Sequence, residues 1–211
     1  MTDCSCRDDT ESESGEETST PDRLITDEPV LEAELPEELQ SRLGEFLGTD
    51  SVGTLGEWAA EVRRHVGDDS ITLEELCLTG TESDHWGTVG DERYHFACFY
   101  DAVILAALTD RPVDIRTKSP SGTVIEARAV GTEELTVTPE EAVFSFGIDD
   151  DVEPPGGTES PSLEAGYAAI CPYVKAFPTP SAYRQWETQC GAETVALPLE
   201  GATALAAQLV E

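Results

Sequence analysis

The sequence predicts an α+β protein in which a small three-helix, helix-turn-helix-like subdomain precedes a mainly antiparallel sheet with packed helices. Apolar residues recur at helical spacing between residues 36 and 80, whereas short β-branched runs separated by turn residues dominate from residue 112 onward. These patterns divide the chain into an acidic tail over residues 1 to 30, the helical subdomain over 31 to 80, and an α+β domain over 81 to 211.

The N-terminal tail is rich in Asp, Glu, Ser and Thr and has almost nothing to bury, so we expect it to be disordered. It contains Cys4 and Cys6, separated by one residue. A Cys-x-Cys pair on a mobile segment can bind soft metal ions. Two cysteines in such a tail also arise by chance, and the chance interpretation is favoured.

Helical periodicity is found in three segments of the predicted subdomain. The first runs from Pro36 to Gly48 and places these apolar residues on one face: Leu39, Leu43, Phe46 and Leu47. The second begins at the capping residue Thr54, stops at Gly67, and has a similar face: Leu55, Trp58, Val62 and Val66. The third, SITLEELCLTG, is short, and its Cys77 lies between leucines as a buried core thiol would.

The charge balance excludes several classes of partner. The chain has 44 acidic and 12 basic residues and a formal net charge of -32. Such a surface repels nucleic acid and anionic membranes, and the basic cluster Arg63, Arg64 and His65 is surrounded by acid, so a scaffold is favoured over a transcriptional regulator. A carboxylate coat with few lysines is expected in a salt-rich, halophilic cytosol, where screening suppresses self-repulsion.

Neither a membrane span nor a secretory signal is predicted. The longest apolar run, from Ala102 to Leu108, is far shorter than the roughly 18 residues that a membrane-spanning helix needs. The N-terminus MTDCSCRDD is acidic and lacks an apolar core. We therefore expect a cytoplasmic protein whose 6 cysteines are reduced thiols rather than a disulfide framework.

The second half of the chain predicts the elements of the sheet domain. A buried helix starting at Cys98 is followed by a hairpin, VDIRT and TVIEARAV, around the turn Ser119 to Gly122. An acidic loop spans residues 149 to 162. The remaining segments read as four strands and two helices, in the order LTVTP, AVFSFGI, YAAICPYVKAF, the helix SAYRQWETQ, TVALPL and the helix ATALAAQLV.

The stretch CFYDAVILAAL places Cys98 and Asp101 three residues apart, which puts them on one face of a helix. The residues that follow are apolar all round, so the helix should be buried. A buried carboxyl loses hydration, its pKa rises, and it can donate a proton near neutral pH. A neighbouring thiol can lose its proton to the carboxylate when an electrophile arrives.

A further candidate thiol is Cys171, which precedes Pro172 in an apolar segment. Proline has no N–H for a sheet ladder, so the sulfur is expected near a strand end, facing a cavity. The plainer alternatives are that Cys171 only packs and that Asp101 only caps or bridges, since cysteine is among the most buried residue types. Cys190, near a helix end, is expected to be structural.

A set of residues joins these candidates into a pattern: Cys98, Asp101, Cys171, Phe177 and Trp186. From about Tyr94 to the C-terminus, the pattern resembles the organomercurial (alkylmercury) lyase family. The resemblance implies cleavage of carbon–mercury bonds without a cofactor, mercury being both substrate and product. It implies that Cys98 and Cys171 bind mercury, that Asp101 acts with them and is a further candidate ligand, and that a mercuric reductase or small thiols accept Hg(II). Cys4 and Cys6 are then candidates for passing mercury onward.

The chain departs from the family pattern at three positions. Ala97 stands where the family often has Trp, Pro172 where it often has a second Cys, and Ala106 where it often has Pro. None of these changes removes a reacting group, but they alter the expected lining of the pocket and therefore bear on substrate preference.

Two other functions use the same thiols. A non-enzymatic carrier or sensor of Cu(I) or Hg(II) would need both cysteines but no buried acid, so Asp101 distinguishes it from a lyase. A thiol redox switch would need the sulfurs of Cys98 and Cys171 near enough to form a disulfide.

Overall fold

The computed structural model describes residues 23–65, 71–152 and 161–210. Its helices are α1 (Glu37–Leu47), α2 (Leu55–His65), α3 (Tyr100–Thr109), α4 (Leu163–Ile170), α5 (Pro180–Glu187) and α6 (Ala202–Val210). Its strands are β1 (His85–Val89), β2 (Glu92–Phe96), β3 (Pro112–Lys118), β4 (Val124–Val130), β5 (Glu134–Thr138), β6 (Val143–Asp149), β7 (Ala176–Phe177) and β8 (Ala192–Pro198). Cys4 and Cys6 lie outside the described residues.

The strands form two antiparallel sheets, which confirms the predicted α+β class. The first has the order β2-β1-β3-β4-β5 and contains the predicted β3–β4 hairpin, whose turn uses Gly122 at φ 85°. The second has the order β7-β6-β8. The β1–β2 hairpin was not predicted from the sequence, and it matters because β2 runs directly toward Cys98.

Helix α3 lies between the two sheets. It packs on β1, β3 and β4 of the first sheet and on α6, while Tyr100 stacks on Phe144 of β6 with ring centroids 6.2 Å apart. A Cβ built on Gly87 of β1 would lie 3.2 Å from the Ala102 Cβ, so glycine allows this close approach. The residues from Tyr100 to Ala106 are all buried, which confirms the prediction of a helix that is apolar all round.

The helices α1 and α2 form where the sequence predicts them. Helix α1 follows Pro36 and ends at Gly48, which adopts the left-handed φ of 72°. The Thr54 hydroxyl caps α2 by accepting a 3.1 Å hydrogen bond from the Glu57 amide. Both helices pack into one core with the sheets, and Trp58 meets Phe146 of β6 edge-on at 4.9 Å.

The predicted third helix is wrong. Only a 3-10 turn forms there, over Leu73–Glu75, and it is closed by a capping box between Thr72 and Glu75. The chain then extends, and Leu78 forms an antiparallel bridge with Phe96. Backbone pairing with the edge strand β2 thus replaces helical hydrogen bonds, so the three-helix subdomain is reduced to two helices and a turn.

The segment YAAICPYVKAF also differs from its prediction as a buried strand. It forms the end of α4, the 3-10 turn Cys171–Tyr173 and the short strand β7. The Ser162 hydroxyl caps α4 by accepting from the Ala165 amide at 3.1 Å. Pro172 occupies an early position of the 3-10 turn, where the missing N–H costs no hydrogen bond.

The last residues of the predicted tail are ordered. Ile25 donates to the Ala196 carbonyl at 2.9 Å and the Ala196 amide donates to the Arg23 carbonyl at 2.8 Å, so this segment pairs with β8. Val30 is buried in the core. The prediction of disorder is therefore wrong for residues 23–30, and the rest of the predicted tail lies outside the described residues.

No helix in the described ranges is both long enough and apolar enough to cross a membrane.

The excess of acidic groups leads to a prediction about salt. With a formal net charge of -32, repulsion between carboxylates opposes the folded state most strongly at low ionic strength. We expect the melting temperature to be higher by roughly 10 °C in 2 M KCl than in 0.05 M KCl, since screening shortens the range of that repulsion. Calorimetry in both solutions tests this, with sucrose of equal osmolality as the control. A melting temperature that falls in KCl contradicts the prediction.

Candidate active site

The first candidate residue, Cys98, lies in the bend between β2 and α3. The helix begins at Tyr100, so the prediction that Cys98 is itself helical is wrong. The three-residue spacing nevertheless brings its thiol to Asp101, and Cys98 Sγ donates to Asp101 Oδ2 at 3.5 Å. Cys98 is 3% exposed, so this contact is formed in the protein interior.

Asp101 lies in the first turn of α3 and is also 3% exposed. Desolvation raises the pKa of this carboxyl to about 6, and hydrogen bonds from the Cys98 thiol and the Cys77 backbone N–H partly offset the rise. Near neutral pH the group can therefore exchange a proton in both directions. This matches the raised pKa that burial of the helix predicts.

The 3-10 turn after α4 carries Cys171 to the same place. Its thiol lies beside those of Cys77 and Cys98, and interaction with these two thiols, followed by desolvation, raises the pKa of Cys171. Two thiols that are 73 positions apart in sequence thus meet beside the carboxyl of Asp101, since 171 − 98 = 73. The cysteines at 77, 98, 171 and 190 are free thiols.

The sequence reasoning missed Cys77. The Ala97 amide donates to its carbonyl at 2.9 Å, and Leu78 bridges Phe96, so the segment runs beside the end of β2. Cys77 is only partly buried, and the hydrogen bond from Cys171 lowers its pKa. A sequence signal for this arrangement exists: the turn at Gly90 separates two strand-like runs. It predicts a hairpin whose second strand, β2, lies between Cys77 and Cys98 in the sequence.

A cavity of about 340 Å³ opens onto these candidate residues. Cys98, Asp101 and Cys171 line it together with the hydroxyl-bearing side chains Tyr100 and Tyr167. Most of the remaining wall is apolar and includes residues of α1 and α2: Phe46, Leu47, Trp58, Val62, Ile104, Phe144, Phe146, Ile170, Leu205 and Leu209. The N-terminal helices therefore form part of the site rather than a separate binding module.

Two tyrosines in the cavity wall donate hydrogen bonds to backbone carbonyls. The Tyr100 hydroxyl donates to the Ala202 carbonyl at 2.8 Å, and burial raises the pKa of Tyr100 well above its usual value. The Tyr167 hydroxyl donates to the Glu75 carbonyl, and desolvation raises the pKa of Tyr167. Both hydroxyls are engaged with backbone, and Asp101 is the buried carboxyl among the side chains that line the cavity, which also include His65 and Glu75.

The two aromatic residues of the family-like sequence pattern, Phe177 and Trp186, lie away from the thiols. Phe177 and Trp186 pack together at a centroid distance of 5.2 Å, in a separate cluster with Tyr183. That cluster joins β7 to α5 and so holds the segment after Cys171 against β6. Cys190 follows α5, and desolvation raises its pKa.

The arrangement combines two soft sulfur ligands, a carboxyl that can transfer a proton, and a largely apolar cavity wall. Paired thiolates bind soft ions such as Hg(II) far better than oxygen or nitrogen ligands do. Within residues 23–65, 71–152 and 161–210, no group of three or more His, Cys, Asp or Glu side chains is positioned to hold a metal ion. The two neighbouring sulfurs are suited to hold a soft ion.

Comparison with known proteins identifies the family to which the chain belongs. A crystal structure of the mercury-bound form of MerB2 is similar to this chain, with a TM-score of 0.47 and 17% identity over 73% of this chain and 74% of that chain. No curated protein matches. The family model described as alkylmercury lyase matches residues 78–211, well over half of the sequence and including the sheets, Cys98, Asp101 and Cys171. The chain belongs to the alkylmercury lyase family.

Proposed function

We propose that this protein cleaves carbon–mercury bonds by protonolysis, releasing a hydrocarbon and Hg(II), with Cys98 and Cys171 as thiolate ligands and Asp101 as the proton-transfer group. The observation that carries the proposal is the meeting of Cys98 Sγ and Asp101 Oδ2 at 3.5 Å, beside the thiol of Cys171, in a largely apolar cavity. Family membership supports the same chemistry.

The first step is capture of the substrate R–Hg–X. Cys98 replaces the exchangeable ligand X, and its thiol proton leaves with X. Cys171 then adds to mercury and its proton passes to the ionised Asp101, whose pKa of about 6 makes it a competent base at neutral pH. Mercury now has two sulfur ligands in addition to the carbon, which increases the electron density on the metal.

The second step breaks the carbon–mercury bond. The electron pair of that bond takes the proton from Asp101, so R–H leaves and the carboxylate is regenerated. Hg(II) remains between the sulfurs of Cys98 and Cys171. An acid that is 3% exposed supplies this proton without competition from bulk water, and the apolar wall accepts the organic group.

The carrier alternative uses the same sulfurs but gives Asp101 no task. Burying a carboxyl costs free energy, as its raised pKa indicates, and a carrier gains nothing from that cost. Protonolysis does require a buried proton donor. The proposed acceptors of the remaining Hg(II) are low-molecular-weight thiols or a mercuric reductase, because ligand exchange to another thiolate is the route that soft-metal chemistry provides.

The direct test is turnover. Purified protein is incubated with an excess of phenylmercury acetate and a larger excess of free thiol, and headspace benzene is measured by gas chromatography. We expect benzene in many-fold molar excess over the protein. Phenylmercury that stays intact while bound to the protein would favour the carrier instead.

The pKa of Asp101 predicts a pH profile. Since the free enzyme needs the ionised carboxylate as base, kcat/KM should fall as the pH drops through about 6, the folded-state value. Well below that value the decrease should approach about tenfold per pH unit. Initial rates with phenylmercury between pH 4.5 and 8 measure this, with circular dichroism as the control for unfolding. A profile that is flat across that range would contradict the assigned role.

A further inference from the structure

A third thiol neighbours the candidate site but lies outside its cavity. The 2.9 Å hydrogen bond from the Ala97 amide to the Cys77 carbonyl places Cys77 next to Cys98. Its thiol also interacts with Cys171, and its backbone with Asp101. It is not among the residues that line the cavity, although Cys98, Asp101 and Cys171 are. Unlike Cys98, which is buried, Cys77 is partly exposed. Cys171 is partly exposed as well, so Cys98 is the one buried sulfur of the three.

The position of Cys77 is fixed by the fold. Its carbonyl accepts from the Ala97 amide at 2.9 Å, the next residue bridges Phe96, and the Thr79 amide donates to the His95 carbonyl at 2.8 Å. These backbone contacts do not depend on the side chain at position 77. The family match starts at Leu78, so Cys77 lies one residue before it.

The geometry favours exchange over a three-coordinate metal site. In the described part of the chain, no three or more His, Cys, Asp or Glu side chains are arranged so that they could hold a metal ion together. Hg(II) favours two thiolate ligands, and thiolates replace one another on a soft centre by associative attack. A third thiol beside a two-sulfur site is thus positioned to replace one of its ligands.

We propose that Cys77 takes Hg(II) from the buried Cys98 and presents it to thiols in solution. The inference rests on the proposed function for the origin of the Hg(II), but not for the exchange itself. The Cys77 sulfur bonds to mercury, the bond from mercury to Cys98 breaks, and the proton of Cys77 moves to Cys98. The metal then lies between Cys77 and Cys171, nearer the surface, with no change in oxidation state.

The test separates release from cleavage. The full chain with Cys4→Ser and Cys6→Ser serves as the background, so that tail thiols do not contribute, and Cys77→Ser is compared with the matched control Cys190→Ser. Each protein is loaded with one equivalent of HgCl2, and transfer of Hg(II) to added glutathione is followed by stopped flow. Single-turnover release of benzene from phenylmercury is measured on the same proteins.

The Cys77→Ser variant should release Hg(II) about tenfold more slowly than the background, because the intermediate exchange partner is lost. Cys190→Ser should match the background, and benzene yield should be unchanged in both variants. Equal release rates would overturn the proposal, as would loss of benzene in Cys77→Ser, which would place this thiol in the cleavage step. If the background protein forms no benzene but Cys77→Ser still slows release, the lyase function fails and the relay stands.

Discussion

Replacing either Cys98 or Cys171 by Ser should reduce kcat/KM for phenylmercury by at least about a thousandfold, because a hydroxyl oxygen is too hard a ligand to hold mercury in its place. Each substitution removes one sulfur from a pair whose thiols are in contact, while it conserves side-chain shape. Initial rates of benzene formation measure the effect. Folding should be preserved, since serine fits both positions.

The matched control is Cys190→Ser, which removes a partly buried thiol that lies outside the cavity. This variant should retain the full rate. Benzene formation at the parent rate by either Cys98→Ser or Cys171→Ser would remove that cysteine from the mechanism. An equal loss in all three variants would indicate a general effect on folding rather than a role in catalysis.

Asp101→Asn should bind phenylmercury but release no benzene, because the amide neither accepts the thiol proton nor delivers one to carbon. The variant should retain one equivalent of phenylmercury after gel filtration, as both sulfurs remain. Mass spectrometry of the intact complex detects the bound group, and gas chromatography detects the absence of hydrocarbon. Benzene formation at the parent rate would show that the proton comes from elsewhere.

The same substitution should also stabilise the fold. Burial raises the pKa of Asp101 from 3.8 to about 6, so its contribution to stability is fully present below about pH 4 and is lost as the pH rises through about 6. At pH 8 the loss amounts to at most about 3 kcal/mol, from two pKa units at about 1.4 kcal/mol each. Asp101→Asn carries no such loss, so its free energy of unfolding in urea at pH 8 should exceed that of the parent protein. A less stable variant would contradict this argument.

Short-range patterns predicted part of the site. The spacing of Cys98 and Asp101 fixes their proximity whether Cys98 lies in the helix or just before it, and the apolar sequence after Asp101 fixes the burial that raises its pKa. The same local reasoning placed the β3–β4 hairpin and the caps of α1 and α2. These features depend on residues that are close together in sequence.

Long-range pairing explains what the sequence did not predict. Cys77 reaches the site because its segment pairs with the end of β2, and that strand belongs to a hairpin the sequence reading had missed. The segment around Cys171 has the composition of a buried strand, but the Ser162 cap and the packing of α4 on β6 favour a helix. The role of α1 and α2 in the cavity wall likewise depends on contacts with distant residues such as Phe146.

The most direct test of the central claim is a single turnover in D2O. Protein with Cys4→Ser and Cys6→Ser is held in excess over phenylmercury, without external thiol, and both the hydrocarbon and the remaining free thiols are measured. If two sulfurs and a carboxyl act together, each phenylmercury should give one monodeuterated benzene. Two titratable thiols should be lost per mercury, and these should be the thiols of Cys98 and Cys171. Intact phenylmercury recovered from the protein, with a single thiol lost, would contradict the account.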